Sequence, residues 1–165
     1  MKKFLKTLAV FAAVAALGFG FASCADDDDD DSGSGSVLVA FSRVNSDDET
    51  ETISFYSGNT YAVHIYCEKT NFGVAGIMDL DVQKATYTGD PTKDDSVVCT
   101  SVSQVDKEKM KKLMMGAILS GSTSLTITNS NCPLVDLDSS DVKTRKCTIS
   151  CTTLTDNEGD KYTRK

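Results

Sequence analysis

Thr52-Ile53-Ser54-Phe55-Tyr56-Ser57-Gly58-Asn59-Thr60-Tyr61-Ala62-Val63-His64-Ile65-Tyr66-Cys67-Glu68 is the stretch that decides how this chain folds. Its first five residues alternate, and Ser57 to Thr60 are turn formers. Beyond the turn, Tyr61, Val63, Ile65 and Cys67 fall on one face and Ala62, His64, Tyr66 and Glu68 on the other. Side chains of a strand point alternately to opposite faces, and two alternating runs joined by a short Gly-Asn loop specify a β-hairpin.

The same period extends to both sides. Upstream, Val37, Val39 and Phe41 can share a face of a short strand. Downstream, 74–87 makes one strand or a pair of strands, closed by the turn Thr88-Gly89-Asp90-Pro91, and a further strand begins over 96–102. After an interruption, strands resume at 125–128, 134–137 and 147–154. A turn at 156–160 then leads to a last strand over 161–164. The interruption has another period. Val105, Met110, Leu113, Met114, Ala117, Ile118 and Leu119 are spaced to make one stripe of a helix near 105–119. Ser103 or Asp106 can cap its start and Gly121 can end it. Eight or nine short strands with regular turns imply a mainly β fold, an antiparallel meander closed as a barrel or stacked as a sandwich, with one helix.

The amino terminus is of a different kind. Lys2, Lys3 and Lys6 are followed by a run over 8–21 with no charged or polar side chain. A basic start, a short apolar core and small residues before a cleavage point define an export signal, and the run is shorter than the ~20 residues a bilayer crossing needs. Phe21-Ala22-Ser23-Cys24 resembles the lipobox of bacterial lipoproteins, with Phe where Leu is usual. That resemblance implies a signal peptide over 1–23 and lipidation of Cys24. It also implies a cell-envelope protein held by lipid on the outer membrane, at its periplasmic face or the cell surface.

Asp26 to Asp31 and then Ser32-Gly33-Ser34-Gly35-Ser36 form an acidic, Gly/Ser-rich tether, so that 24–36 joins the anchor to one β-rich domain over 37–165. The acidic run also resembles surface-export signals of Bacteroidetes lipoproteins. A homopolymer lacks the spaced ligands of a calcium loop. The precursor has 24 acids and 17 bases; without Lys2, Lys3 and Lys6 the balance is 24 against 14, or −10, and without the six tether aspartates it is −4. A mildly acidic domain excludes a nucleic-acid footprint, which requires a basic face.

A second resemblance concerns the domain. Phe55-Tyr56-Ser57-Gly58-Asn59-Thr60-Tyr61, Ala85-Thr86-Tyr87-Thr88-Gly89-Asp90-Pro91 and Thr153-Leu154-Thr155-Asp156-Asn157-Glu158-Gly159-Asp160-Lys161-Tyr162 look like the turns of small lipocalin-like lipoproteins. This implies a lipocalin-like barrel. The chain has no Trp, so the Gly-x-Trp of true lipocalins is missing and no family site residue carries over.

Five cysteines remain beside Cys24: Cys67, Cys99, Cys132, Cys147 and Cys151. They are candidates for disulfides in an oxidising compartment or for small apolar fillers. On one straight strand Cys147 and Cys151 would stand about 13 Å apart, too far to bridge each other, so neighbouring strands carrying Cys67 or Cys132 would supply partners. No Cys-x-x-Cys pattern points to a metal, and no phosphate-loop, dinucleotide or nucleophile-elbow pattern points to a cofactor or to an enzyme. His64, the pair Asp79 and Asp81, and the methionines Met110, Met114 and Met115 are the remaining polar or ligand-contacting candidates. Two functions stay open. One is a lipid-anchored barrel that binds a small apolar molecule. The other is an interaction module with a filled core whose acidic loops, 45–51 and 90–95, meet another protein. An empty interior would favour the first and a filled one the second.

Overall fold

The computed structural model describes residues 35–71 and 73–165; the signal peptide expected over 1–23, Cys24 and the aspartate run lie outside the described residues. Ten strands and one helix follow in the order β1 (Val37–Val44), β2 (Thr50–Tyr56), β3 (Thr60–Asn71), β4 (Val74–Thr88), β5 (Ser96–Val105), α1 (Lys107–Leu119), β6 (Ser124–Thr128), β7 (Leu134–Asp136), β8 (Thr144–Ser150), β9 (Thr153–Thr155) and β10 (Lys161–Arg164).

Eight of the strands close a barrel. Strands β1 to β5 pair as a continuous antiparallel meander, β5 passes to β8, and β8, β9 and β10 continue it. Strand β10 then returns to β1 through Phe41↔Arg164 and Ser42↔Thr163. First and last strands thus remove each other's free edge, and the barrel is closed by residues 37–164 themselves. This is the lipocalin-like barrel anticipated above; a sandwich is excluded by the β4–β5 and β1–β10 pairings.

The turns follow from residues that tolerate positive φ. Asp48 and Asn59 stand at φ 58° and 57° in the first two hairpins, where Asn and Asp are the side chains that bear a left-handed backbone best. Gly89, at φ 106°, turns β4 into β5, and a Cβ there would lie 2.9 Å from the carbonyl oxygen of Ser96. The β8–β9 hairpin corrects the expected strand over 147–154. Cys151 and Thr152 form a tight turn between β8 and β9, with Cys151 at φ 47°. No Gly, Asn or Asp marked that turn in the sequence. Asp94 makes it possible, accepting the Cys151 amide and the thiol.

The barrel is splayed at one end. Only the second half of β4, from Gln83, pairs with β5; its first half pairs in parallel with β6, from Ala75↔Ser124 to Asp79↔Thr128. On the other edge of β5, β8 pairs with Ser96 to Thr100 and β7 with Ser103 to Val105. Helix α1 closes this opening. Asp106 caps it by accepting the Lys109 amide at 2.9 Å. Gly121, at φ 69°, ends it, with Gly121 N bonded to Ile118 O and Ser122 N to Ala117 O, the paired bonds of a Schellman stop. Val105 is not on the helix stripe: it is the last residue of β5 and buried. The inward stripe is Met110, Leu113, Met114 and Ala117, whereas Met115, Ile118 and Leu119 are exposed.

Two apolar clusters result. The closed end is filled by a set that includes Phe41, Phe55, Tyr61, Tyr87, Val97, Ile149 and Leu154. Phe55 is its centre, stacked on Tyr61 (5.6 Å between centroids) and edge-on to Phe41 (6.3 Å) and Tyr87 (5.1 Å). The splayed end is filled by Ile65, Met78, Leu80, Val105, Ile127 and the helix residue Met110. Among the described residues no helix is long and apolar enough to cross a membrane.

Candidate functional site

Between the two clusters the barrel interior is polar. Glu49, Glu51, Lys69, Gln83, Ser101 and Ser103 are all buried, and Glu49 is only 1% exposed. Strand parity explains most of these positions. Glu51 shares a face with Ile53 and Phe55, Lys69 with Ile65 and Cys67, and Ser101 and Ser103 with Val97 and Cys99. A side chain on an inward position goes inside whatever its charge. The sequence reading had assigned 45–51 to an exposed acidic loop. Glu49 and Glu51 overturn that assignment, because both point into the barrel.

Burying a charge is costly unless it is paired and hydrogen-bonded, and both carboxylates are. Glu51 Oε2 accepts from Arg43 Nε at 2.6 Å and from the Tyr162 hydroxyl at 3.1 Å. Arg43 also meets Asp160 Oδ2 at 2.8 Å and lies 4.6 Å above the Tyr162 ring. Burial alone would lower the Arg43 pKa, but the bond to Glu51 and the charges of its neighbours raise it above its ordinary value. Tyr162 is held in its neutral form, first by burial and then by the charge of Glu51. Glu49 accepts from Asn45 Nδ2 at 2.8 Å and lies 3.5 Å from Lys69 Nζ. Gln83 donates to Ser101 across β4 and β5. Among the described residues, Thr60 Oγ1 is the only fully enclosed side-chain oxygen or nitrogen without a hydrogen bond, so no such atom of this belt is orphaned.

The belt adjoins a cavity of about 320 Å³, at the small end of the range for small-molecule sites. Its lining mixes apolar side chains, Val63, Ile65, Met78, Val82, Val105 and Met110, with polar ones, Glu49, Glu51, Gln83, Ser101 and Arg145. The two kinds interleave, with Ile65 opposite Glu51 and Val63 opposite Gln83. Lys107, Asp141 and Lys143 stand exposed at its rim. A recess of about 60 Å³ extends toward the closed end and shares Glu51, Val63 and Arg145 with the larger space.

The other candidates are dispersed. His64 is on the outer face, where its ring lies between Asp79 Oδ1 (2.9 Å from Nε2) and Asp81 Oδ1 (3.1 Å from Nδ1). The hydrogen bond to Asp81, followed by the charges of both acids, raises its pKa against the opposing effect of burial. Of the methionines, Met110 is core and lines the cavity, Met114 is half-buried and Met115 is exposed. All five described cysteines are unbridged. Cys67 and Cys132 belong to the helix-covered cluster and Cys99 and Cys147 to the other. Cys99 lies against Cys147 from the adjacent strand. It donates to that sulfur, which raises its own pKa and lowers that of Cys147. Burial raises Cys67 to about 11. Among the described residues no group of three or more His, Cys, Asp or Glu side chains is arranged to hold a metal ion.

Sequence reasoning missed Arg43, Glu49, Glu51, Lys69 and Arg145 because it sorted residues by polarity before parity. The available signal was the charged residue at an inward position two or four places from buried apolar ones. Comparison with family models, with curated proteins and with solved structures returns no match.

Proposed function

We propose that this protein is a lipid-anchored lipoprotein of the cell envelope that holds a small, largely apolar molecule inside its barrel and performs no catalysis on it. The lipobox-like Phe21-Ala22-Ser23-Cys24 supports the anchor, with Cys24 as the lipidated residue and 24–36 as the tether. Three acyl chains at one cysteine would bind far more firmly than a single chain, which holds only marginally.

The observation that carries the binding reading is the cavity of about 320 Å³, whose lining includes Val63, Ile65, Met78, Val82, Val105 and Met110. An interaction module with a filled core would have no such space. Small-molecule pockets combine apolar side chains with convergent polar groups, and this cavity has both.

Native mass spectrometry of residues 32–165, purified from an oxidising compartment, tests this reading. A small molecule that co-purifies and leaves on denaturation is the expected result. A bare polypeptide that takes up no apolar probe would transfer the case to the interaction module. For the anchor, incorporation of labelled palmitate into the full chain should disappear in Cys24→Ser; label retained in that variant would refute lipidation at Cys24.

A further inference from the structure

We infer that the ligand carries a carboxylate head and that Arg145 is the residue that receives it. This rests on the binding reading above and concerns the charge inside the same cavity.

Arg145 is on β8 at the parity of Cys147 and Ile149, both buried in the barrel, so its side chain leaves the strand on the inner side. It lines both the 320 Å³ cavity and the 60 Å³ recess. Its charge reaches the buried Tyr61, Cys99 and Cys147, favouring the ionised form of each.

The acids of the cavity wall are already occupied. Glu51 is bound by Arg43 and Glu49 is paired with Lys69. The other charged groups at the larger cavity are the exposed rim residues; in the recess Asp160 is held by Arg43, and Asp156 and Glu158 line the space without an ion pair to Arg145. Arg145 makes no ion pair among the described residues, and it is only partly exposed. Arg145 is therefore a half-buried cation without an ion pair, in an interior that also carries apolar side chains. A guanidinium is a planar fork of donors whose natural complement is a carboxylate, held by two parallel hydrogen bonds. An apolar tail against Val63, Ile65 and Met110 with its acid on Arg145 would use both kinds of lining residue at once.

Isothermal titration calorimetry of residues 32–165 with decanoate and with decan-1-ol at pH 7.5 tests the assignment, since the two probes share a chain and differ in the head. Wild type should bind decanoate at least about tenfold more tightly than decanol, the factor expected of one charge-assisted contact. Arg145→Gln should abolish that preference by weakening decanoate while leaving decanol unchanged. Arg145→Lys should keep part of it, and Lys146→Gln, on the outward parity of the same strand, should keep all of it.

Equal affinity for the two probes in wild type, or equal weakening of both by Arg145→Gln, would overturn the carboxylate assignment and leave the binding barrel in place. Binding of neither probe would overturn the binding reading and this inference together. The circular dichroism spectrum of each variant separates lost recognition from lost folding, and Arg145→Lys supplies the test if the Gln variant does not fold.

Discussion

Replacement of Glu51 by Leu should destabilise the barrel by about 3 kcal/mol, a value set by what surrounds that carboxylate. Glu51 is 4% exposed and its Oε2 receives both Arg43 at 2.6 Å and Tyr162 at 3.1 Å. Hydrogen bonds to a charged group contribute about 1.5–3 kcal/mol each, and breaking a buried ion pair from one side costs about 3–5 kcal/mol. The loss should fall at the low end of that range. Arg43 keeps Asp160 at 2.8 Å, keeps its place on the Tyr162 ring and has a side chain 20% exposed. For a domain of this size the change corresponds to a fall in Tm of roughly 10 °C.

The assay is urea unfolding of residues 32–165 followed by far-ultraviolet circular dichroism, because the chain has no Trp to report by fluorescence. Arg43→Met should cost at least as much as Glu51→Leu, since it leaves the more deeply buried partner unpaired. The double variant should be more stable than the sum of the two losses predicts, by about 1–3 kcal/mol, because no uncompensated charge remains. A loss below about 0.5 kcal/mol for Glu51→Leu, the scale of a surface substitution, would refute the placement of this pair inside the barrel. Strict additivity would refute their coupling.

Gly89→Ala should cost about 2 kcal/mol or more in the same urea assay, because its φ of 106° and a Cβ 2.9 Å from Ser96 O leave no relaxed position; a neutral result would mean the β4–β5 turn is drawn wrongly. In reduced protein, Ellman's reagent should titrate Cys151 alone before denaturation and Cys67, Cys99, Cys132 and Cys147 only after it. Its reaction should quicken as pH rises past the ordinary thiol range, since the hydrogen bond to Asp94 and that carboxylate's charge hold the Cys151 thiol protonated. Two fast thiols in the native state would contradict the burial. His64 is the single histidine, so an NMR titration reads it directly. Its folded pKa is raised, so the stability it adds is fully present below about pH 6.5 and is lost as pH rises through the folded value. The pair is partly exposed, so the effect should not exceed about 1 kcal/mol. Asp81→Asn should return the titration toward 6.5, and an unchanged midpoint in that variant would refute the contact.

Local order was written in the sequence. Alternation over 52–56 and 61–68, with Asn59 between, specifies the β2–β3 hairpin from residues that are neighbours in the chain, and the stops at Gly89 and Gly121 require only the backbone freedom of glycine. The helix was legible for the same reason, since its stripe repeats within four residues. Its start was misread by two residues, because Val105 suits the inward face of a strand as well as that of a helix. The turn at Cys151 was hidden because its support, Asp94, is 57 residues away.

What the sequence by itself determined, then, is everything that depends on contacts a few residues apart: the period of each element, most of its ends and the faces of its side chains. It also carried the lipobox-like Phe21-Ala22-Ser23-Cys24 and the acidic run behind it, on which the proposed anchor rests. Tertiary structure alone decided that the meander closes through β1 and β10, that β4 divides its length between β5 and β6, and which polar faces are enclosed. Glu51 looks like a loop acid until the β1–β2 hairpin sets Arg43 opposite it and closure brings Tyr162, 111 residues away, to its carboxylate. The cavity beside it exists for the same reason. It is the space left where two apolar clusters, one drawn from residues 39–162 and the other from 65–132, do not meet, and no local pattern encodes a distance between strands that pair only when the barrel closes.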